Sequence, residues 1–112
     1  MVGEKYTILV ADDDRICRNV LSSHLKNENY RLILAQTGSE AWQLLERSPE
    51  IFSTAILDWE MPGYDGLEIL EKMKSHAVLK HLPVIMQTAK SDEKDKLRGL
   101  QAGAFFILQN PV

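Results

Sequence analysis

Three consecutive carboxylates, Asp12, Asp13 and Asp14, close the apolar run that begins at Ile8 in "ILVADDDR". Ionised carboxylates side by side repel and raise one another's pKa unless a cation sits among them. A further acid, Asp58, ends the run "AILD" and is followed by "WEMPGYDG". Brought together, Asp12, Asp13 and Asp58 offer hard oxygen donors of the kind Mg²⁺ takes, with waters completing an octahedron. A carboxylate beside a metal can also attack a phosphoryl group and form an acyl phosphate. Asp58, delivered to a strand tip ahead of the Pro62-Gly63 turn, is the candidate for that role. Asp14 is read as a helix cap. The plain alternative for Asp12 and Asp13 is a pair of solvated turn acids.

For these acids to meet, the chain must bring separate strand ends to one edge. Five short apolar runs rich in branched residues predict strands over Tyr6–Ala11, Tyr30–Gln36, Ser53–Asp58, Pro83–Thr88 and Ala104–Gln109. Between them, helical spacing puts apolar residues on one face: Ile16, Val20, Leu21 and Leu25; Ala41, Leu44 and Leu45; Leu67, Leu70 and Met73; Leu97 and Leu100. Asp14, Asp65 and Ser91 can each cap a helix, while Gly38 and Gly103 mark turns. Strict alternation of strand and helix predicts an α/β domain with a parallel sheet and helices on both faces. Such sheets carry ligands at the carboxyl ends of their strands. Asp12 to Asp14, Asp58, Thr88, and Gln109 with Asn110 therefore reach one edge.

The 112 residues, 45 % hydrophobic, suit one domain with its own core. A net charge of -3 with no basic block argues against direct binding of nucleic acid. Cys17 is the one cysteine, which excludes an internal disulfide and fits a reducing compartment. No apolar run approaches a membrane span and the N-terminus has no signal-peptide pattern, so a cytoplasmic location is expected. His24, His76 and His81 lack metal-ligand spacing with one another. Trp42, Trp59 and Tyr64 are expected to pack.

The segments "ILVADDD", "AILDWEMPGYDG", "LPVIMQTA" and "GLQAGAFFILQNP", in this order, resemble the receiver domain of two-component response regulators over essentially the whole chain. The resemblance implies a flavodoxin-like, doubly wound five-stranded sheet of order 2-1-3-4-5. It implies a metal site for Mg²⁺ made by Asp12, Asp13, Asp58 and the backbone carbonyl of Glu60, with Asp58 as phosphoacceptor and Thr88 as the switch hydroxyl. The expected function is to accept a phosphoryl group from a sensor histidine kinase or a histidine phosphotransfer protein and to switch an output domain or partner. Such a domain is not an enzyme beyond catalysing its own phosphorylation and dephosphorylation.

Two positions depart from the family's pattern. Asn110 stands where a lysine usually precedes the proline, so the site lacks its usual fixed cation. Lys90 is a candidate substitute, with a solvated loop lysine as its plain reading. Ile107 stands where the family places an aromatic switch residue, and Phe106 faces the opposite way along the strand. These departures keep open an interaction module that works without phosphorylation. The Asp12-x-Asp14 spacing of haloacid-dehalogenase-type phosphatases is the enzymatic alternative, but Arg15 interrupts its usual continuation and the chain is short for that fold. A flavin carrier is disfavoured because the acidic first loop would repel a phosphate. The family's fifth helix is missing after "FILQNPV". A fragment of a longer regulator or a homodimer is therefore expected, with an apolar strip exposed along the first helix and the adjoining strands.

Overall fold

The computed structural model describes residues 6–25, 29–88 and 93–109. Five strands, β1 (Tyr6–Ala11), β2 (Tyr30–Ala35), β3 (Thr54–Asp58), β4 (Val84–Thr88) and β5 (Phe106–Gln109), form one parallel sheet of order β2-β1-β3-β4-β5. Four helices connect them: α1 (Arg15–Leu25), α2 (Gly38–Arg47), α3 (Gly66–Lys74) and α4 (Glu93–Gln101). Short 3₁₀ turns at Pro49–Ile51 and Leu79–His81 precede β3 and β4. The fold class and strand order are those expected from the sequence, and β5 is the last element among the described residues.

Side chains alternate across each strand, and the two faces are filled unequally. Leu9, Ala11, Ala55, Leu57, Val84 and Met86 pack with Ala41 and Leu45 of α2 and with Ile69, Leu70 and Met73 of α3. On the other face Ile8, Val10 and Ile56 are buried, with Leu21 and Leu25 of α1 partly buried against them. No residue of α1 is fully buried, and Ile16 and Val20 point outward.

The helix starts follow their caps. Asp14 accepts from the backbone N–H of Ile16 at 2.8 Å and of Cys17 at 3.4 Å. Asp65 and Glu68 form a reciprocal capping box on α3. Thr37, unremarked in the sequence, caps α2 by accepting from Glu40 N–H at 3.1 Å. Ser91 lies outside the described residues.

Three expectations are corrected. Gly38 is the first residue of α2 and not a turn residue. It packs so tightly on the Tyr64 carbonyl that a Cβ would collide with it. Leu97 and Leu100 of α4 are exposed, and the buried residue of that helix is Gly99. A Cβ on Gly99 would lie 2.6 Å from Ile107 Cδ1 and 3.2 Å from Trp59 Cζ3, so the helix approaches the core through its missing side chain and its leucines flank the contact. The predicted strand from Ala104 starts instead at Phe106. Gly103, at φ +115, donates to Leu100 C=O and Ala104 N–H donates to Gly99 C=O, each at 3.0 Å. That paired closure stops α4 and engages Ala104 before the strand can begin.

A candidate divalent-cation site at the carboxyl edge

β1 and β3 are hydrogen-bonded neighbours, so their ends bring Asp12, Asp13 and Asp58 to one point of the edge. One carboxylate oxygen from each lies within 4.8 Å of the others. Asp12 is almost fully buried, with 1 % of its surface exposed. Its Oδ1 accepts from Asp14 N–H at 2.9 Å, while Oδ2 is buried without a hydrogen-bond partner. A buried carboxylate oxygen left unsatisfied is costly. Asp13 is exposed and Asp58 half-buried, with Asp58 Oδ1 accepting from Glu60 N–H at 3.3 Å.

The electrostatics fit that geometry. Burial, followed by repulsion from Asp12, pushes the Asp58 carboxyl up to about 7. Burial also raises Asp12, against its hydrogen bond from Asp14. The Cys17 thiol is raised by burial and then by the fields of Asp12 and Asp14, which disfavours a thiolate. Three hard donors, one with an orphaned oxygen, form the donor set that a small divalent cation takes. The residues present therefore fit Mg²⁺.

Beside the triad, an open cleft of about 370 Å³ is lined by Asp13, Glu60, Met61, Pro62 and Asp65. Thr88 is buried at the end of β4, where it stands in register with Gln109. The strand pairs Asp58 with Gln87, so Thr88 lies one residue beyond the acid on the neighbouring strand. Asn110 and Lys90 lie outside the described residues. Ile107 is half-buried, packed into the core against Gly99. Trp59 is buried in the same core, and His76 Nδ1 accepts from Val78 and Leu79 N–H, a local turn contact.

A polar group beside the site was missed in the sequence. Arg18 Nη1 donates to the Asp12 backbone carbonyl at 2.7 Å, placing a guanidinium beside the acidic strand end. Its signal was spacing: Arg18 is one helical turn past the cap Asp14, and helical side chains lean toward the N-terminus.

The family model for the response regulator receiver domain matches residues 8–112. This chain belongs to that family. The receiver domain is 32 % identical over 112 residues to the phosphate regulon transcriptional regulatory protein PhoB of Pseudomonas aeruginosa, covering 99 % of this chain and 47 % of that protein. It is 34 % identical to the response regulator RppA of Synechocystis, covering 93 % of this chain and 44 % of that protein. The chain thus spans less than half the length of these curated relatives. Among solved structures, the non-phosphorylated HemR receiver domain of Leptospira biflexa is similar at TM-score 0.85 and 30 % identity, over 96 % of this chain and 84 % of that one. The Borrelia burgdorferi CheX-CheY complex with BeF₃ and Mg²⁺ matches at TM-score 0.87 and 25 % identity, over 96 % of this chain and 79 % of that one. The receiver domain is thereby assigned to two-component signal transduction, and among its described residues no helix is long and apolar enough to cross a membrane.

Proposed function

We propose that this receiver domain is a cytoplasmic phosphorylation switch whose phosphoacceptor is Asp58 and whose divalent ion, Mg²⁺, is held by Asp12, Asp13, Asp58 and the Glu60 carbonyl. The observation that carries the proposal is the convergence of three carboxylates within 4.8 Å around a buried, unsatisfied Asp12 oxygen. A bound Mg²⁺ supplies positive charge to the triad and to a phosphoryl group. The chain's own residues do the rest. Asp58, half-buried in the triad, attacks the phosphorus of a phosphohistidine presented by a sensor kinase or a phosphotransfer protein. The P–O bond forms as the P–N bond breaks, and the departing imidazole nitrogen keeps the electron pair and takes up a proton. Asp12 and Asp13 would hold the ion, and Arg18 fixes the backbone that carries Asp12. The Thr88 hydroxyl then meets the new phosphoryl oxygens, and the surface that changes engages an output domain or partner. The domain turns over nothing but its own acyl phosphate.

The test is incubation with acetyl phosphate and Mg²⁺ followed by intact-mass measurement. Gain of one phosphoryl group in the wild type and none in Asp58→Asn supports the proposal. No gain in the wild type, with Mg²⁺ bound, would favour an interaction module that works without phosphorylation.

A further inference from the structure

The segment from Ala35 to Ser39, which contributes no side chain to the acidic triad, touches Asp12 on one side and the loop that follows Asp58 on the other. Asp12 N–H donates to Ala35 C=O at 3.1 Å, which ties the first acid to the end of β2. Three residues later Gly38 N–H donates to Pro62 C=O at 3.0 Å, which ties the start of α2 to the loop that follows Asp58. The seating is close as well as hydrogen-bonded. Gly38 lies against the Tyr64 carbonyl, and Gly63, at φ +82, lies against Ser39, with no room for a Cβ at either contact. The far end of the same loop is fixed by Gly66 N–H donating to Trp59 C=O at 2.9 Å. Between these anchors the loop presents Glu60, whose N–H bonds to Asp58.

A cation on α3 completes the clamp. Lys72 Nζ stands 4.7 Å from the centroid of the Tyr64 ring and 5.5 Å from that of Trp42 on α2. Both distances are within the range at which an ammonium is attracted to an aromatic face. Lys72 is exposed. Its contacts join α2, α3 and the loop across a sequence separation that no local motif enforces.

We propose that Lys72 is a positioning residue for the divalent-cation site, acting through Tyr64 and the seat on Gly38 to hold the loop of residues 59–65, which carries Glu60, in place beside the triad. This rests on the proposed function only in that the triad binds a divalent ion. Pinning the loop before the ion arrives lowers the ordering cost that binding must meet. Losing an exposed cation–π contact weakens an interaction by about 0.5–1 kcal/mol, which corresponds to a two- to five-fold change in affinity.

The experiment is titration of the wild-type chain with Mg²⁺ and with Mn²⁺, by calorimetry and by Mn²⁺ electron paramagnetic resonance. The same titrations are made on Lys72→Met, Lys72→Arg, Tyr64→Leu and the double variant Lys72→Met/Tyr64→Leu, with thermal unfolding in EDTA measured on each. Lys72→Met should weaken binding two- to five-fold while its unfolding temperature in EDTA falls by only a few degrees, the size expected for loss of one exposed contact. Lys72→Arg, which keeps a cation over the rings, should restore wild-type affinity, and the double variant should bind no more weakly than Tyr64→Leu alone. Wild-type affinity in Lys72→Met overturns the positioning role, as does equal weakening in Lys72→Met and Lys72→Arg, or additive losses in the double variant. Absence of binding by the wild-type chain would instead defeat the metal site itself.

Discussion

The two faces of the sheet teach different lessons about where this domain keeps its stability. Under α2 and α3, Leu9, Leu45, Leu57, Ile69 and Met86 are buried to within 2 % of full enclosure. Under α1 the buried set is Ile8, Val10 and Ile56, and the helix above them presents Ile16, 73 % exposed, and Val20, 49 % exposed. The acidic triad stands at the edge between the faces, on strands whose inner residues belong to both. Its rigid wall is the α2–α3 side, where the loop after Asp58 is seated. Its looser wall is α1, held to the site by the Asp14 cap and the Arg18 bond to Asp12.

The largest test of that comparison is matched truncation of one leucine on each side. Leu9→Ala, on the filled face, should cost about 2–5 kcal/mol of unfolding free energy through lost transfer energy and the cavity left behind. Leu21→Ala, half-buried on α1, should cost less than half of the Leu9→Ala value, measured in the same urea titration. Equal losses would mean that α1 is packed as firmly as α2 and α3.

Next in size is the repulsion inside the triad. Asp58→Asn removes a carboxylate that burial and Asp12 both oppose, so the metal-free protein should gain about 1 kcal/mol at pH 8, a figure kept small by solvent on the open side. The same variant should lose stabilisation by Mg²⁺. The wild type should show the repulsion as a pH slope. Asp58 rises from an ordinary 3.8 to about 7 in the folded state, so between those values the folded chain binds more protons than the unfolded one. Stability from this group is then present at pH 4 and lost as pH rises through 7. Unfolding temperature in EDTA should fall over that window, and the fall should be shallower with saturating Mg²⁺ or in Asp58→Asn. A flat profile in EDTA would show that the triad is already neutralised.

Most of this architecture was legible because the physics behind it is local. Tyr6–Ala11 is a strand in sequence and in structure, and parallel strands bring their carboxyl ends to one edge, so Asp12, Asp13 and Asp58 could be placed on that edge from the strands, while their meeting needed the strand order that the family resemblance implied. Periodicity told which residues of α4 share a face, but not that the face turned to the sheet would be the one with Gly99. A glycine carries no hydrophobic signal, and its burial is decided by Trp59 and Ile107, distant in sequence. The seating of Gly38 on Tyr64 and the placement of Lys72 over Trp42 and Tyr64 were hidden for the same reason: each joins elements that no spacing rule connects. The α4 stop at Gly103 was marked in sequence as a turn, yet its claim on Ala104 required knowing where the helix ends.

The smallest effect on stability separates the looser face from its surroundings by surface chemistry. In register, Phe106 stands beside Ile85 and Leu108 beside Gln87, which puts both on the α1 side of the sheet. They are 54 % and 44 % exposed, and Ile16 and Val20 on α1 are exposed as well. Exposed apolar surface binds hydrophobic dyes and favours association. Phe106→Ser should therefore change unfolding free energy by less than about 1 kcal/mol, as befits a half-exposed edge-strand residue, while lowering binding of an apolar dye and any concentration-dependent sedimentation. Phe105, 76 % exposed and outside the strand, provides the control. Its replacement by Ser should leave association through the α1 side unchanged. If Phe105→Ser and Phe106→Ser lower dye binding and association equally, the adhesive surface is the α4–β5 groove that Phe105 and Phe106 both line, and the contrast between the two faces does not govern assembly.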